Sequence, residues 1–136
     1  MHSWIVPASI AVLVWGVWGF LPKLAVKYMN PWTVTVFQGC GTLLVTIGIL
    51  VYQWKTLSFH HIGAMLAIAG GVCGLGGTLF FVRALSLGDT NVVVPFTALY
   101  PLVTVILSTA ILKEPLTAAH ILGLILALVA VALLST

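Results

Sequence analysis

The sequence predicts an all-α integral membrane protein with five transmembrane helices, and composition and apolar run length carry that prediction. Of 136 residues, 62% are hydrophobic and 5% are charged, whereas an ordinary soluble domain is about 25% charged. Five Lys or Arg and two Asp or Glu cannot clothe a globule of this length. A water-soluble fold would expose apolar patches larger than soluble monomers tolerate. The apolar residues also fall into five long stretches, 4–26, 34–52, 62–82, 92–112 and 118–134, each about as long as the 17–25 residues of helix that cross a bilayer. Lipid admits only helices and closed barrels, because every backbone polar group must be paired internally. Barrel strands alternate polar with apolar residues, and residues 121–134 show no alternation. The chain therefore reads as a single transmembrane domain over residues 1–136, without a soluble domain or linker.

The first stretch has no positive leading region and no small-residue cleavage pattern, so it is expected to be a mature helix rather than a signal peptide. On it Trp15, Gly19, Pro22 and Val26 share one face, flanked by Trp18 and Lys23. Pro22 removes a backbone hydrogen bond, and a kink or local unwinding is expected there. Lysine near a membrane is costly unless it snorkels, pairs or meets water. Lys23 thus has two readings, an interfacial anchor or a cation at a cavity mouth. Trp15 and Trp18 are likewise read either as cavity aromatics or as packing within the bundle.

Met29-Asn30-Pro31 turns the chain into the second helix, with Pro31 suited to its start. Gln38 and Thr42 share a face there, near Thr35 and Thr46. An amide in hydrocarbon normally finds a hydrogen bond on a neighbouring helix, and that role competes with solute binding. Tyr52 and Trp54 sit as interfacial aromatics before the third helix. That helix carries Gly63, Ala67, Gly70, Gly74, Gly77 and Thr78 at three- and four-residue spacing. Such a smooth stripe suits either a tight helix seam or room for a solute path.

Leu87-Gly88-Asp89-Thr90 is expected to end the third helix at a C-cap glycine and to start the fourth, with Asp89 or Thr90 as its cap. Pro95 and Pro101 make the fourth helix irregular, and broken helices often border binding sites in transporters. Thr97, Pro101, Thr104 and Ser108 share a side close to Tyr100. They are read as cavity lining or as hydroxyls bonded to their own helix. Lys113-Glu114-Pro115 separates the last two helices.

Lys23, Lys27 and Arg83 fall on one side of the membrane; Lys55, Lys113 and the N-terminal amine fall on the other. The positive-inside rule barely chooses between these, with a slight preference for the N-terminus outside, and insertion in both orientations is an expectation of the sequence. The net charge of +3 is scattered, which excludes the clustered basic face that nucleic acid needs. Cys40 and Cys73 lie in apolar stretches and are read as inert thiols. Neither they nor the four histidines show zinc-ligand spacing, so no metal and no cofactor is expected. Catalysis has little raw material. The only acids, Asp89 and Glu114, stand at helix ends, and no nucleophile motif of the G-x-S-x-G kind exists.

Residues 81–135 resemble the EamA domain of the drug/metabolite transporter superfamily. The resemblance is carried by Ala84-Leu85, Gly88, Pro95-Phe96-Thr97-Ala98-Leu99-Tyr100-Pro101, Lys113-Glu114-Pro115-Leu116 and Gly123. The opening Trp15-Gly16-Val17-Trp18-Gly19-Phe20 with Lys23 is similar to that domain's first helix. The resemblance implies a five-helix repeat in the cytoplasmic (inner) membrane of a bacterium, handling small metabolites. It implies a cavity lined chiefly by the first, third and fourth helices. Relatives usually join two such repeats in one chain. One repeat alone has an odd number of spans, so an inverted partner is expected: a second copy in an antiparallel homodimer, or a paralogous half-transporter. The candidate binding residues are Trp15, Trp18, Lys23, Gln38, Thr97, Tyr100 and Thr104, and the candidate packing residues are Gly63, Gly70, Gly74 and Gly77. Facilitated diffusion or exchange of a small polar or amphipathic metabolite is the expected activity. Flipping of lipid-linked sugars or head groups, and a non-transporting role in membrane assembly, are its rivals.

Overall fold

The computed structural model describes residues 4–134; the N-terminal amine and Ser135 invoked above lie outside them. The described residues form helices α1 (Ile5–Ala25), α2 (Pro31–Gln53), α3 (His61–Leu87), α4 (Thr90–Thr97), α5 (Tyr100–Leu107) and α6 (Ala118–Leu134), with a wider π-type turn, Ser108–Leu112, prolonging α5. Strands are absent among the described residues. Ile5–Ala25, Pro31–Gln53, His61–Leu87 and Thr90–Leu112 are long and apolar enough to cross a membrane. α6 is shorter, at 17 residues, or about 25 Å of helix, which is the low end of what spans. The fold is an all-α membrane fold.

The chain divides into two compact units, Met1–Leu87 and Gly88–Thr136. In the first, α1 and α2 both pack on α3. Its interior is small: Pro22, Val34, Thr35, Val82 and Leu85 are buried, while Leu13 and Leu44 remain 72% and 71% exposed. Hydrocarbon solvates such side chains as well as a protein core does, so hydrophobic residues need not turn inward. α1 runs through Pro22 and, from Ala25 on, tightens into i→i+3 turns, Lys27 N–H to Leu24 O and Tyr28 N–H to Ala25 O, at 3.2 and 3.0 Å. α2 starts at Pro31, ahead of its apolar stretch, because Asn30 caps it. The Asn30 side-chain oxygen accepts from the Thr33 N–H at 2.9 Å and from the Thr33 hydroxyl at 3.0 Å.

The junction after α3 differs from its expected capping. No described glycine has a positive φ, so Gly88 does not close α3 in the left-handed conformation. Asp89 holds the N-cap position of α4 in extended backbone (ψ 140°), but its side chain makes no capping bond, and Thr90 is already helical. The Asp89 carbonyl instead accepts from the Val92 and Val93 N–H groups at 3.1 and 2.9 Å.

In the second unit the fourth span is interrupted as its prolines dictate. α4 stops at Thr97, and α5 starts at Tyr100 with Pro101 in its first turn. Between them the Leu99 N–H reaches the Phe96 carbonyl at 3.2 Å and the Leu102 N–H the Leu99 carbonyl at 2.9 Å. The π-type turn ends at Lys113, the one described non-glycine residue with positive φ (56°). α6, which packs on α4, is capped reciprocally. The Thr117 hydroxyl accepts from the His120 N–H at 3.2 Å, and His120 Nδ1 accepts from the Thr117 N–H at 3.4 Å.

Candidate functional site

Two of the expected site residues meet on the seam between α1 and α3. Trp18 stacks on Phe81, with ring centroids 5.5 Å apart and planes 15° from parallel. One turn further along α1, the Lys23 ammonium donates to the Leu85 carbonyl at 2.9 Å. The last carbonyls of a helix have no donor four residues ahead and form the negative end of its dipole. Lys23 therefore supplies both a hydrogen bond and a matching charge to the end of α3. Val82 and Leu85 on α3 and Pro22 on α1 are the fully buried side chains of this unit. Phe81 and Leu85 are the partners that sequence reasoning missed. Spacing along α1 points at Lys23, but nothing in α3 marks which of its carbonyls faces α1.

Trp15, on the same side of α1, is 60% exposed. Gln38 stands on α2, one turn beyond buried Thr35, whose hydroxyl donates to the Pro31 carbonyl at 2.9 Å. The Gln38 side-chain oxygen is buried and has no hydrogen-bond partner. Exchanging the amide oxygen and nitrogen would still leave a polar atom at that spot. Beside it Gly39 faces Leu75 of α3, whose methyls lie 3.8 Å from where a Cβ would stand. On α3 a methyl added at Gly70, Gly74 or Gly77 would meet nothing within 4 Å, and one at Gly63 would meet only His60. The smooth stripe is open.

In the second unit, the Thr97 hydroxyl donates to the Val93 and Val94 carbonyls at 2.9 and 3.0 Å, and the Thr104 hydroxyl to the Tyr100 carbonyl at 3.4 Å. Their donors are spent on their own helix, so a solute would find their oxygens as acceptors. Tyr100 opens α5 and is 60% exposed. Sequence reasoning also missed a concavity in this unit bordered by Ser108, Thr109, Glu114 and His120. Only a helix end that folds back would have revealed it.

Charge is divided unevenly. Residues up to Leu87 include Lys23, Lys27, Lys55 and Arg83 and no acid; both acids, Asp89 and Glu114, follow. Among the described residues no three His, Cys, Asp or Glu side chains group closely enough to hold a metal ion.

An uncharacterised protein of Methanocaldococcus jannaschii is 29% identical to this chain over 142 aligned positions, covering 99% of the chain and 98% of the relative. No solved structure matches. The EamA-like transporter family matches residues 2–136, practically the whole length over which these helices are laid out. The chain belongs to the EamA-like transporter family, a family of membrane transporters within the drug/metabolite transporter superfamily.

Proposed function

We propose that the chain is a half-transporter for small metabolites, in which two copies insert antiparallel and carry solute by facilitated diffusion or exchange. The observation that supports this most is the match of one repeat of a transporter family to the whole chain. An odd number of spans inverts the second of two tandem repeats, and inverted repeats are the usual frame for alternating access. Unfused copies reproduce that frame when some insert upside down. The balance of Lys and Arg between the two sides favours such insertion. The Methanocaldococcus jannaschii relative matches this chain over 98% of its own length.

In this reading Trp15, Trp18, Lys23, Gln38, Thr97, Tyr100 and Thr104 face the solute. Gly63, Gly70, Gly74 and Gly77 admit a helix of the second copy, or of a paralogous half-transporter in its place. The unpartnered Gln38 side-chain oxygen suits a solute with a polar donor group of its own. The cytoplasmic membrane is the proposed location.

A reporter fused to the C-terminus should give signal on both sides of that membrane; strictly one-sided signal overturns the dual orientation. Purified protein in proteoliposomes should take up labelled small metabolites, with Lys23→Ala and Tyr100→Ala each slowing flux by about tenfold, or about 1.4 kcal/mol in barrier. Flux unchanged in both variants removes these two residues from the site. Head-group movement without solute flux would favour the flippase reading. No flux together with a stable complex with another protein would favour the assembly role.

A further inference from the structure

The end of the first unit where α1 and α3 finish carries two cations that the transport reading leaves unused. The bond from Lys23 to the Leu85 carbonyl fixes the levels of the two helices against each other. Lys27 stands four residues past Lys23, and Arg83 two residues before Leu85. At about 1.5–2 Å of rise per residue, these positive residues occupy one layer about 10 Å deep. Lys27 and Arg83 are exposed, and neither side chain makes a hydrogen bond or ion pair among the described residues. Two residues of helix turn through about 200°, so Arg83 points away from the side on which Leu85 is buried. No Asp or Glu precedes Asp89, which belongs to the second unit.

That layer lies at the membrane boundary. α3 has 27 residues, about 40 Å of helix against about 30 Å of hydrocarbon. The turn that carries Arg83, four residues before the helix ends, therefore reaches head-group level. Tyr28 and Trp32 lie beside the end of α1 at 86% and 62% exposure, and such aromatics mark an interface. The opposite end of the unit holds Lys55 as its one Lys or Arg. Long basic side chains extend along their stems until the charge meets polar head groups. A zwitterionic head group can accept their hydrogen bonds but leaves the net charge standing. A phosphate diester without a cationic substituent answers both needs, and a guanidinium can engage two of its oxygens at once. Uncompensated cations at this level thus favour lipids of net negative charge.

We propose that this end of the first unit is a binding surface for anionic phospholipids, with Lys27 and Arg83 meeting the phosphates of their head groups. The surface is present on each copy whichever way it inserts, so it is independent of the antiparallel pairing proposed above.

The test uses the purified full chain in mixed vesicles of phosphatidylcholine and phosphatidylglycerol, with one or the other lipid brominated on its acyl chains. Bromine quenches tryptophan on contact, so the two quenching curves give the preference of the protein surface for each lipid. Each basic residue at an anionic surface is favoured about fivefold, and the parent protein should prefer phosphatidylglycerol by about tenfold or more. Lys27→Gln and Arg83→Gln should each lower the preference by about fivefold. The double variant should come close to parity, and Lys55→Gln should lower the preference less than either. The single variants keep the test open if the double variant does not fold. Equal quenching by both lipids in the parent overturns the surface, as does a preference kept in both single variants or lost as fully in Lys55→Gln. Displacement of phosphatidylglycerol by inorganic phosphate at matched ionic strength overturns it too, by making a free anion the ligand. Solute flux does not enter the readout, so failure here leaves the transport proposal standing.

Discussion

Replacing Lys23 with Met keeps the length and most of the apolar stem of the side chain while removing the ammonium that holds the Leu85 carbonyl at 2.9 Å. A hydrogen bond to a charged group contributes about 1.5–3 kcal/mol, and a cation at a helix C-terminus about 0.3–1 kcal/mol more. Relief of the charge's own cost in lipid opposes both. That cost is about 2.5–3.5 kcal/mol at the centre of a span and falls toward its ends, and Lys23 lies in the last turn of α1. Taking about 1 kcal/mol for the relief, Lys23→Met should destabilise the packing of α1 on α3 by about 1–3 kcal/mol. Leu85 is fully buried, so its freed carbonyl has no ready access to water. Reversible unfolding of the full chain in mixed micelles, followed by helical circular dichroism, gives the free energy directly. Lys23→Arg should recover most of it, since a guanidinium also donates and keeps the charge. A Lys23→Met protein within about 0.5 kcal/mol of the parent would refute the reasoning and return Lys23 to a freely snorkelling role.

Asn30→Ala should cost about 1 kcal/mol in the same assay, because it removes the acceptor of the Thr33 N–H, and Asn30→Ser should restore most of that. Gly74→Leu should leave the unfolding free energy of the single chain within about 0.5 kcal/mol, since a side chain there enters open space. If α3 receives a second copy along this stripe, the same variant should abolish cross-linked dimers in native membranes. Dimers that persist in Gly74→Leu would place the interface elsewhere.

Local chemistry made much of the fold legible. Met29-Asn30-Pro31 announces a turn and a first helical residue at Pro31, and α2 begins there. Pro95 and Pro101 announce a broken span, and the break falls between Thr97 and Tyr100. Gly88 misled, because a glycine after a helix suggests a left-handed cap, whereas here extended Asp89 follows at once and starts the next helix. The candidate residues are legible as types but their contacts are not. Lys23 stands out as a charge, yet its acceptor is a backbone atom 62 positions away, and every residue has a carbonyl. The return of Glu114 to Ser108 depends on a left-handed Lys113, a conformation for which lysine carries no sequence signal. Glycine spacing along α3 draws a stripe but cannot say what lies against it, and within the single chain a methyl added at Gly70, Gly74 or Gly77 would meet nothing within 4 Å.

The interrupted fourth span has a consequence for hydration. Pro95 and Pro101 have no N–H to offer the carbonyls of Asn91 and Thr97, so two peptide oxygens along a stretch meant for hydrocarbon lack their ordinary donors. Oil cannot satisfy them; water or a passing solute can. The need for an outside donor is thereby fixed into the backbone itself, and no side-chain replacement that spares the prolines would return their missing N–H groups.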